Sequence, residues 1–133
     1  MINEPEMNKI TAVLKALSDP NRLRIFSELM SGDSCNNELM DKLDLRANLL
    51  SHHLKVLSEA GLITSRRDRI DGRWIYYPVD REAAAQWHQW FNNFFDPNRI
   101  QKRVVCGPEG QLNFIPEGQI EVVSTSELFV ETN

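Results

Sequence analysis

Asn48, Ser51, His52, Lys55 and Glu59 follow one another at intervals of three, one, three and four residues. On a helix of 3.6 residues per turn that spacing lines them along one face. Asn, Ser and His side chains donate and accept hydrogen bonds, which suits the edges of nucleic-acid bases, and Lys55 suits a phosphate. Arg46, near the start of the same stretch, can reach a phosphate or a guanine edge. Just downstream stand Arg66, Arg67, Arg69 and Arg73, offset in part by Asp68 and Asp71. From Arg46 to Arg73 there are six basic side chains against three acidic, a net +3 within a chain of net −4. An acidic chain is not an indiscriminate polyanion binder, so contact with nucleic acid must come from such a local basic surface. Taken alone, the arginines also read as a solvated charged hairpin. Their place directly after the polar helical face favours the nucleic-acid reading.

Cys35 and Cys106 are the two thiols of the sequence. The N-terminal Met1-Ile2-Asn3-Glu4-Pro5-Glu6 lacks the basic and apolar regions of a secretory signal. No apolar run approaches bilayer length. These features predict a cytoplasmic protein with no membrane partner. In that compartment a distant cysteine pair is more often inert, metal-binding or redox-active than a structural disulfide. A glycine-rich phosphate loop, a His-Glu-x-x-His pair and a nucleophile elbow are all missing, so an enzyme is not expected. The non-enzyme rival is a domain of the same shape used for contact with another protein.

The elements that must position these residues follow from periodicity and caps. Ile10, Val13, Leu14 and Leu17 predict a first helix from about Asn8 to Leu17. Asp19 and Pro20 predict the cap and first turn of a second. Leu23, Phe26, Leu29 and Met30 are expected to face inward, and Gly32 to end the helix. A third helix is expected over Cys35–Leu43. A fourth, about Arg46–Ala60, is capped by Asp44, buries Leu50, Leu54 and Leu57, and stops at Gly61. Leu62–Arg67 and Arg73–Val79 read as strands around an Asp71-Gly72 turn. A fifth helix runs over about Arg81–Phe95. The fold class is mainly α with a small β-hairpin, a winged helix-turn-helix of five core helices plus a wing. Residues 1–96 form that domain. Residues 97–133 form a C-terminal extension, either a tail or a hairpin over Leu112–Val123.

Leu17-Ser18-Asp19-Pro20-Asn21-Arg22-Leu23-Arg24-Ile25 resembles the second-helix signature of the ArsR/SmtB family of metal-responsive repressors. Leu50-Ser51-His52-His53-Leu54-Lys55-Val56-Leu57 with Ala60-Gly61-Leu62-Ile63, and Gly72-Arg73-Trp74-Ile75-Tyr76-Tyr77, resemble its recognition-helix and wing signatures. The resemblance implies a homodimer that binds two-fold operator DNA and releases it on sensing a ligand. It implies an interface built by the first and last helices. The aromatic content of the last helix points the same way, since it exceeds what a small monomer is expected to cover. The expected interface residues are Ile10, Val13, Leu14, Trp87, Trp90, Phe91 and Phe94.

The sensor is less fully specified. Arsenic-sensing relatives carry a Cys-x-Cys pair at the start of the third helix. Cys35 matches its first position, and Asn37 stands in the second. Cys106 could supply another thiolate, as a C-terminal thiol does in some relatives. Soft ligands of this kind suit As(III), Cd(II) or Pb(II). The alternatives are a thiol-redox sensor, favoured by a thiol near a helix start, and no inducer at all. No resident cofactor is required. The zinc site that some relatives build on the fifth helix is not expected, because Asp80-Arg81-Glu82 replaces its Asp-x-His start and His88 is the one histidine there.

Overall fold

Asn3 opens the first helix by accepting a hydrogen bond from the Glu6 N–H at 2.8 Å. Pro5 fits that first turn, where a missing N–H costs nothing. The computed structural model, which describes residues 2–111, therefore starts α1 at Glu4 (Glu4–Leu17) rather than near Asn8. Asp19 caps α2 (Pro20–Met30), taking the N–H groups of Asn21 and Arg22 at 2.8 and 3.1 Å.

The inward face of α2 differs from expectation. Ile25 and Leu29 are buried and Phe26 is half-buried, while Leu23 and Met30 are 52% and 58% exposed. Five apolar positions on an eleven-residue helix exceed one face, and the core takes the Ile25–Leu29 side.

Cys35 occupies the N-cap position of α3 (Asn36–Leu43), and its backbone N–H reaches the Glu38 carboxylate at 3.5 Å. Asp44 does not cap the next helix. It takes a left-handed conformation, φ 52°, and closes α3 instead. Asp tolerates that region better than most side chains do. The tight corner leaves the N-cap of α4 (Ala47–Glu59) to Arg46, whose side chain makes no capping bond. Leu50, Leu54 and Leu57 are buried as the spacing predicts. Gly61, at φ 77°, supplies the left-handed turn that ends the helix.

The wing pairs fewer residues than its alternation suggests. β1 (Arg66–Arg67) and β2 (Ile75–Tyr76) run antiparallel, with Arg66 opposite Tyr76 and Arg67 opposite Ile75. Isolated bridges join Ile63 to Val79 and Cys35 to Tyr76. Pro78 has no N–H to offer and helps break the ladder between them. The expected two-residue Asp71-Gly72 turn is replaced by a longer one. Gly72 keeps a negative φ, so the mirror-image turns that need glycine there are not formed.

Asp80 caps α5 (Arg81–Phe94) through the Ala83 N–H at 3.0 Å. Helices α2, α3 and α4 pack on one another, with α1 against α2 and α4. Their core contains Ile10, Val13, Ala16, Ile25, Leu29, Leu39, Leu50, Leu54, Leu57, Leu62, Ile63 and Trp87. These elements belong to the first of two compact units, Met1–Phe95. The second unit begins at Asp96. Its described part holds short 3-10 turns at Pro97–Arg99 and Pro108–Gln111. The hairpin expected over Leu112–Val123 lies outside the described residues.

Candidate nucleic-acid interface

The buried stripe of α4 fixes what its other side shows. With Leu50, His53, Leu54 and Leu57 turned into the core, Asn48, Ser51, His52 and Lys55 are all exposed. Arg46 is exposed at the head of the same helix. Among the described residues Lys55 meets only Glu59, at 4.0 Å, with the two side chains 73% and 68% exposed. Such a pair is worth at most about 1 kcal/mol and yields easily to a phosphate.

His53 is oriented quite differently from its neighbour. Its Nδ1 lies 3.3 Å from Arg22 Nη1. Arginine can only donate, so Nδ1 is the acceptor and Nε2 carries the proton. That N–H points toward Asp19, 4.0 Å away, and makes no hydrogen bond among the described residues. Arg22 also donates to the Ala16 carbonyl at 2.6 Å and the Lys15 carbonyl at 3.4 Å. One guanidinium therefore ties the end of α1, the start of α2 and the inner face of α4.

Burial holds the His53 imidazole below its ordinary value of 6.5; Asp19 pulls it up, while Arg22 and His52 push it down. A folded value below the unfolded one means that the unfolded chain binds more protons in that window. The stabilisation is thus complete above pH 6.5 and is lost as pH falls from there through the folded value. Chemical denaturation between about pH 7.5 and 5.5 is expected to show a larger loss of stability in the wild type than in His53→Asn. Parallel profiles would contradict this role.

The four arginines of the wing are not equivalent. Arg66 pairs with Asp33 at 3.2 Å and lies over the Tyr76 ring, 4.6 Å from its centroid. Arg67 donates to the Gly72 carbonyl at 2.7 Å. Arg73 grips Asp71 at 2.8 and 3.0 Å, with its own side chain 90% exposed. That pairing holds the Asp71 carboxyl below the usual carboxylate range. Arg69 is exposed and makes no such bond among the described residues. Beside it Ile70 is 98% exposed. The tip of the wing therefore presents one uncommitted cation and one bare apolar side chain.

Charge and spacing give no positioning role to three residues that shape this surface, Asp33, Asp68 and Tyr76. Asp68 had a legible signal, because an Asp two and three residues before Ile70 and Asp71 can accept their N–H groups in a turn. Asp33 had none, since its partner is 33 positions away.

The thiols are differently placed. Cys35 is 6% exposed, and Cys106 is exposed. Beside Cys35 a cavity of about 440 Å³ is lined by Asn36, Asn37, Arg73, Trp74 and Ile75. Nothing in that lining is a second thiolate. Among the described residues no group of three His, Cys, Asp or Glu side chains is placed to hold an ion. Cys35 with its neighbours thus does not fit the three-sulfur site that arsenite prefers.

The expected interface residues separate into two groups. Ile10, Val13 and Trp87 are 2%, 1% and 9% exposed in the single chain. They sit in the core of the single chain, so the exposed members of the set are better placed to meet a partner. Leu14 is 50% and Phe94 43% exposed, and Trp90 and Phe91 are half-buried. Met7 and Phe95, at 45% and 72%, extend the apolar surface. Trp90 stacks on Phe94 at 4.8 Å and donates from Nε1 to Glu6 at 2.6 Å, which ties α5 to α1.

Residues 19–65 match the family described as bacterial regulatory protein, arsR family. The chain is 31% identical to the transcriptional repressor SdpR of Bacillus subtilis, over 63% of this chain and 90% of that one. It is 37% identical to an arsenical resistance operon repressor of Staphylococcus aureus, over 74% and 88%. The crystal structure of the transcriptional repressor BigR from Xylella fastidiosa superimposes with a TM-score of 0.53 at 30% identity, over 68% and 90%. No helix among the described residues is long and apolar enough to cross a membrane. A winged helix-turn-helix with this sequence match is an arsR-family regulatory protein, and the chain belongs to that family.

Proposed function

We propose that the protein is a homodimeric repressor that binds operator DNA, with α4 in the major groove and the wing on the adjoining backbone. The observation that carries the reading is the division of α4. One face is closed into the core by Leu50, Leu54 and Leu57, and the other leaves Asn48, Ser51, His52 and Lys55 bare. A rigid helix with such a face, followed by an arginine wing, can place base-reading and phosphate-binding groups at fixed spacing. Its relatives include a transcriptional repressor and an operon repressor, which supports the direction of control. Dimerisation is supported by the apolar surface of Met7, Leu14, Phe94 and Phe95. An operator read by two copies gains affinity from the second contact.

Release of the operator through cysteine chemistry completes the proposal. Cys35 is well placed to act on the wing. Its backbone bridges to Tyr76 of β2, and Arg73 and Trp74 line the cavity beside it. A change at this thiol bears directly on β2, the strand paired with the arginines of β1. Because Cys35 alone does not fit a three-sulfur site, the soft-metal reading requires Cys106 or an external thiol as well. The same observation keeps thiol oxidation as a second reading.

The test titrates the complex of the protein and the duplex from its own upstream region with arsenite, Cd(II), Pb(II) and a thiol oxidant. Cys35→Ser and Cys106→Ser are run alongside. The expected result is release by at least one reagent in the wild type and loss of that response in Cys35→Ser. Metal and oxidant distinguish the two readings. An identical response in the wild type and both variants would remove the thiol sensor and leave operator binding intact.

A further inference from the structure

On charge alone, Asp68 is the wrong residue for the middle of a DNA-binding wing, between Arg67 and Arg69. Its geometry gives it another part. Asp68 Oδ1 accepts from the backbone N–H groups of Ile70 at 2.8 Å and Asp71 at 2.9 Å. Asp68 Oδ2 accepts from the Tyr76 hydroxyl at 2.9 Å. Its own N–H donates to the Trp74 carbonyl at 2.8 Å. One side chain therefore fastens the turn to itself and to the opposite strand. The turn it fastens is the one that carries Arg69, exposed and uncommitted, and Ile70.

We propose that Asp68 is a positioning residue for DNA binding, which sets the wing tip so that Arg69 and Ile70 are presented, and that losing it weakens binding although a negative charge is removed. This rests on the reading of the wing as a DNA contact.

The magnitudes decide the sign. A solvent-exposed charge, screened over a Debye length of about 8 Å, changes an affinity by several-fold at most. Ordering even one loose backbone residue on binding costs on the order of tenfold. A tip that is already ordered avoids that cost. The carboxylate is also well neutralised. The N–H groups of Asp71 and Ile70, and then the Tyr76 hydroxyl, hold it below the usual carboxylate range, so it stays ionised and acceptor-only near neutral pH. Arg66, stacked on the Tyr76 ring, adds a positive charge behind it.

The experiment compares Asp68→Ala with Asp68→Asn on the full-length protein. The probe is a labelled duplex of the DNA immediately upstream of the protein's own coding sequence. Both substitutions remove the same charge. Only Asn keeps an Oδ1 that accepts from the two backbone N–H groups, with an amide that can bond to the Tyr76 hydroxyl. Asp68→Ala is expected to bind about tenfold or more weakly. Asp68→Asn is expected to stay within about threefold of the wild type or to bind more tightly. Melting temperatures should be close to wild type, because the tip is outside the core. Tyr76→Phe, which removes one donor and no charge, is expected to weaken binding several-fold.

Arg69→Ala runs in parallel as the control for the underlying reading. If it leaves affinity and salt dependence unchanged, the wing is not a contact and the proposal falls with that reading. If Arg69→Ala weakens binding while Asp68→Ala and Asp68→Asn bind equally, at or above wild-type affinity, the positioning role of Asp68 alone is overturned.

Discussion

Leu14→Asp and Phe94→Asp are each expected to convert the protein to a monomer and to reduce operator affinity by about a hundredfold or more. Both side chains are about half exposed in the single chain, at 50% and 43%, so neither substitution empties the core. A carboxylate placed in an apolar contact between two copies must be desolvated without a partner, which few interfaces tolerate. The loss on DNA exceeds the loss of any single contact, because a monomer surrenders the second half-site entirely. Sedimentation gives the oligomeric state, and titration of the upstream duplex gives the affinity. The contrast is with Ile10, Val13 and Trp87, whose truncation is expected to lower the melting temperature instead, since all three are closed inside one protomer. Dimers of undiminished affinity from both aspartate variants would place the interface elsewhere.

Lys55→Ala and Arg69→Ala form the second large effect. Each is expected to weaken binding to every duplex alike and to flatten the dependence on salt. A lost phosphate contact lowers the slope of log affinity against log salt by about 0.9, so each substitution should remove about two units from a dimer. Arg69 should matter more than its neighbours, because Arg66, Arg67 and Arg73 already hold partners in the free protein. Asn48→Ala and His52→Ala are expected to behave differently. Their loss should fall on particular base pairs, at about 1–3 kcal/mol each. Equal losses on every operator variant would remove their base-reading role.

Some of this was legible in the sequence and some was not, for physical reasons. Asp19-Pro20 marks a helix start because the cap is local, and Leu50, Leu54 and Leu57 mark a buried face because one stripe has one solution. Local signals also carried Gly61 and the arginine wing. An Asp between two helices can cap the second or close the first, and only the φ of 52° decides that Asp44 closes α3. Leu23 and Met30 face outward because α2 carries more apolar residues than its inward face can hold. Ile10, Val13 and Trp87 share helices with interface candidates, and periodicity does not separate a protomer's core from its partner-facing side. Within the site, α4 was readable from spacing. The pairing of Arg66 with Asp33, and of Asp68 with Tyr76, depends on tertiary contacts that spacing does not encode.

The distinction among the wing residues changes how the positive surface is understood. Net charge counted every basic side chain equally. Two of the arginines, Arg66 and Arg73, instead lie in exposed ion pairs, which shape the hairpin and can be exchanged for phosphates at small cost, and Arg67 is held by the Gly72 carbonyl. The carboxylates that lower the net charge are the same groups that give the wing its form.

Recognition of a particular DNA sequence by α4 and the wing together separates a repressor from a domain of the same shape used for protein contact. Its most direct test is fluorescence anisotropy of the wild-type protein on the duplex from its own upstream region. A scrambled duplex of the same length and composition is measured beside it at about 150 mM salt. The upstream duplex is expected to be preferred on the order of a thousandfold or more, with affinity falling steeply as salt rises. Equal affinity for the two duplexes would contradict it.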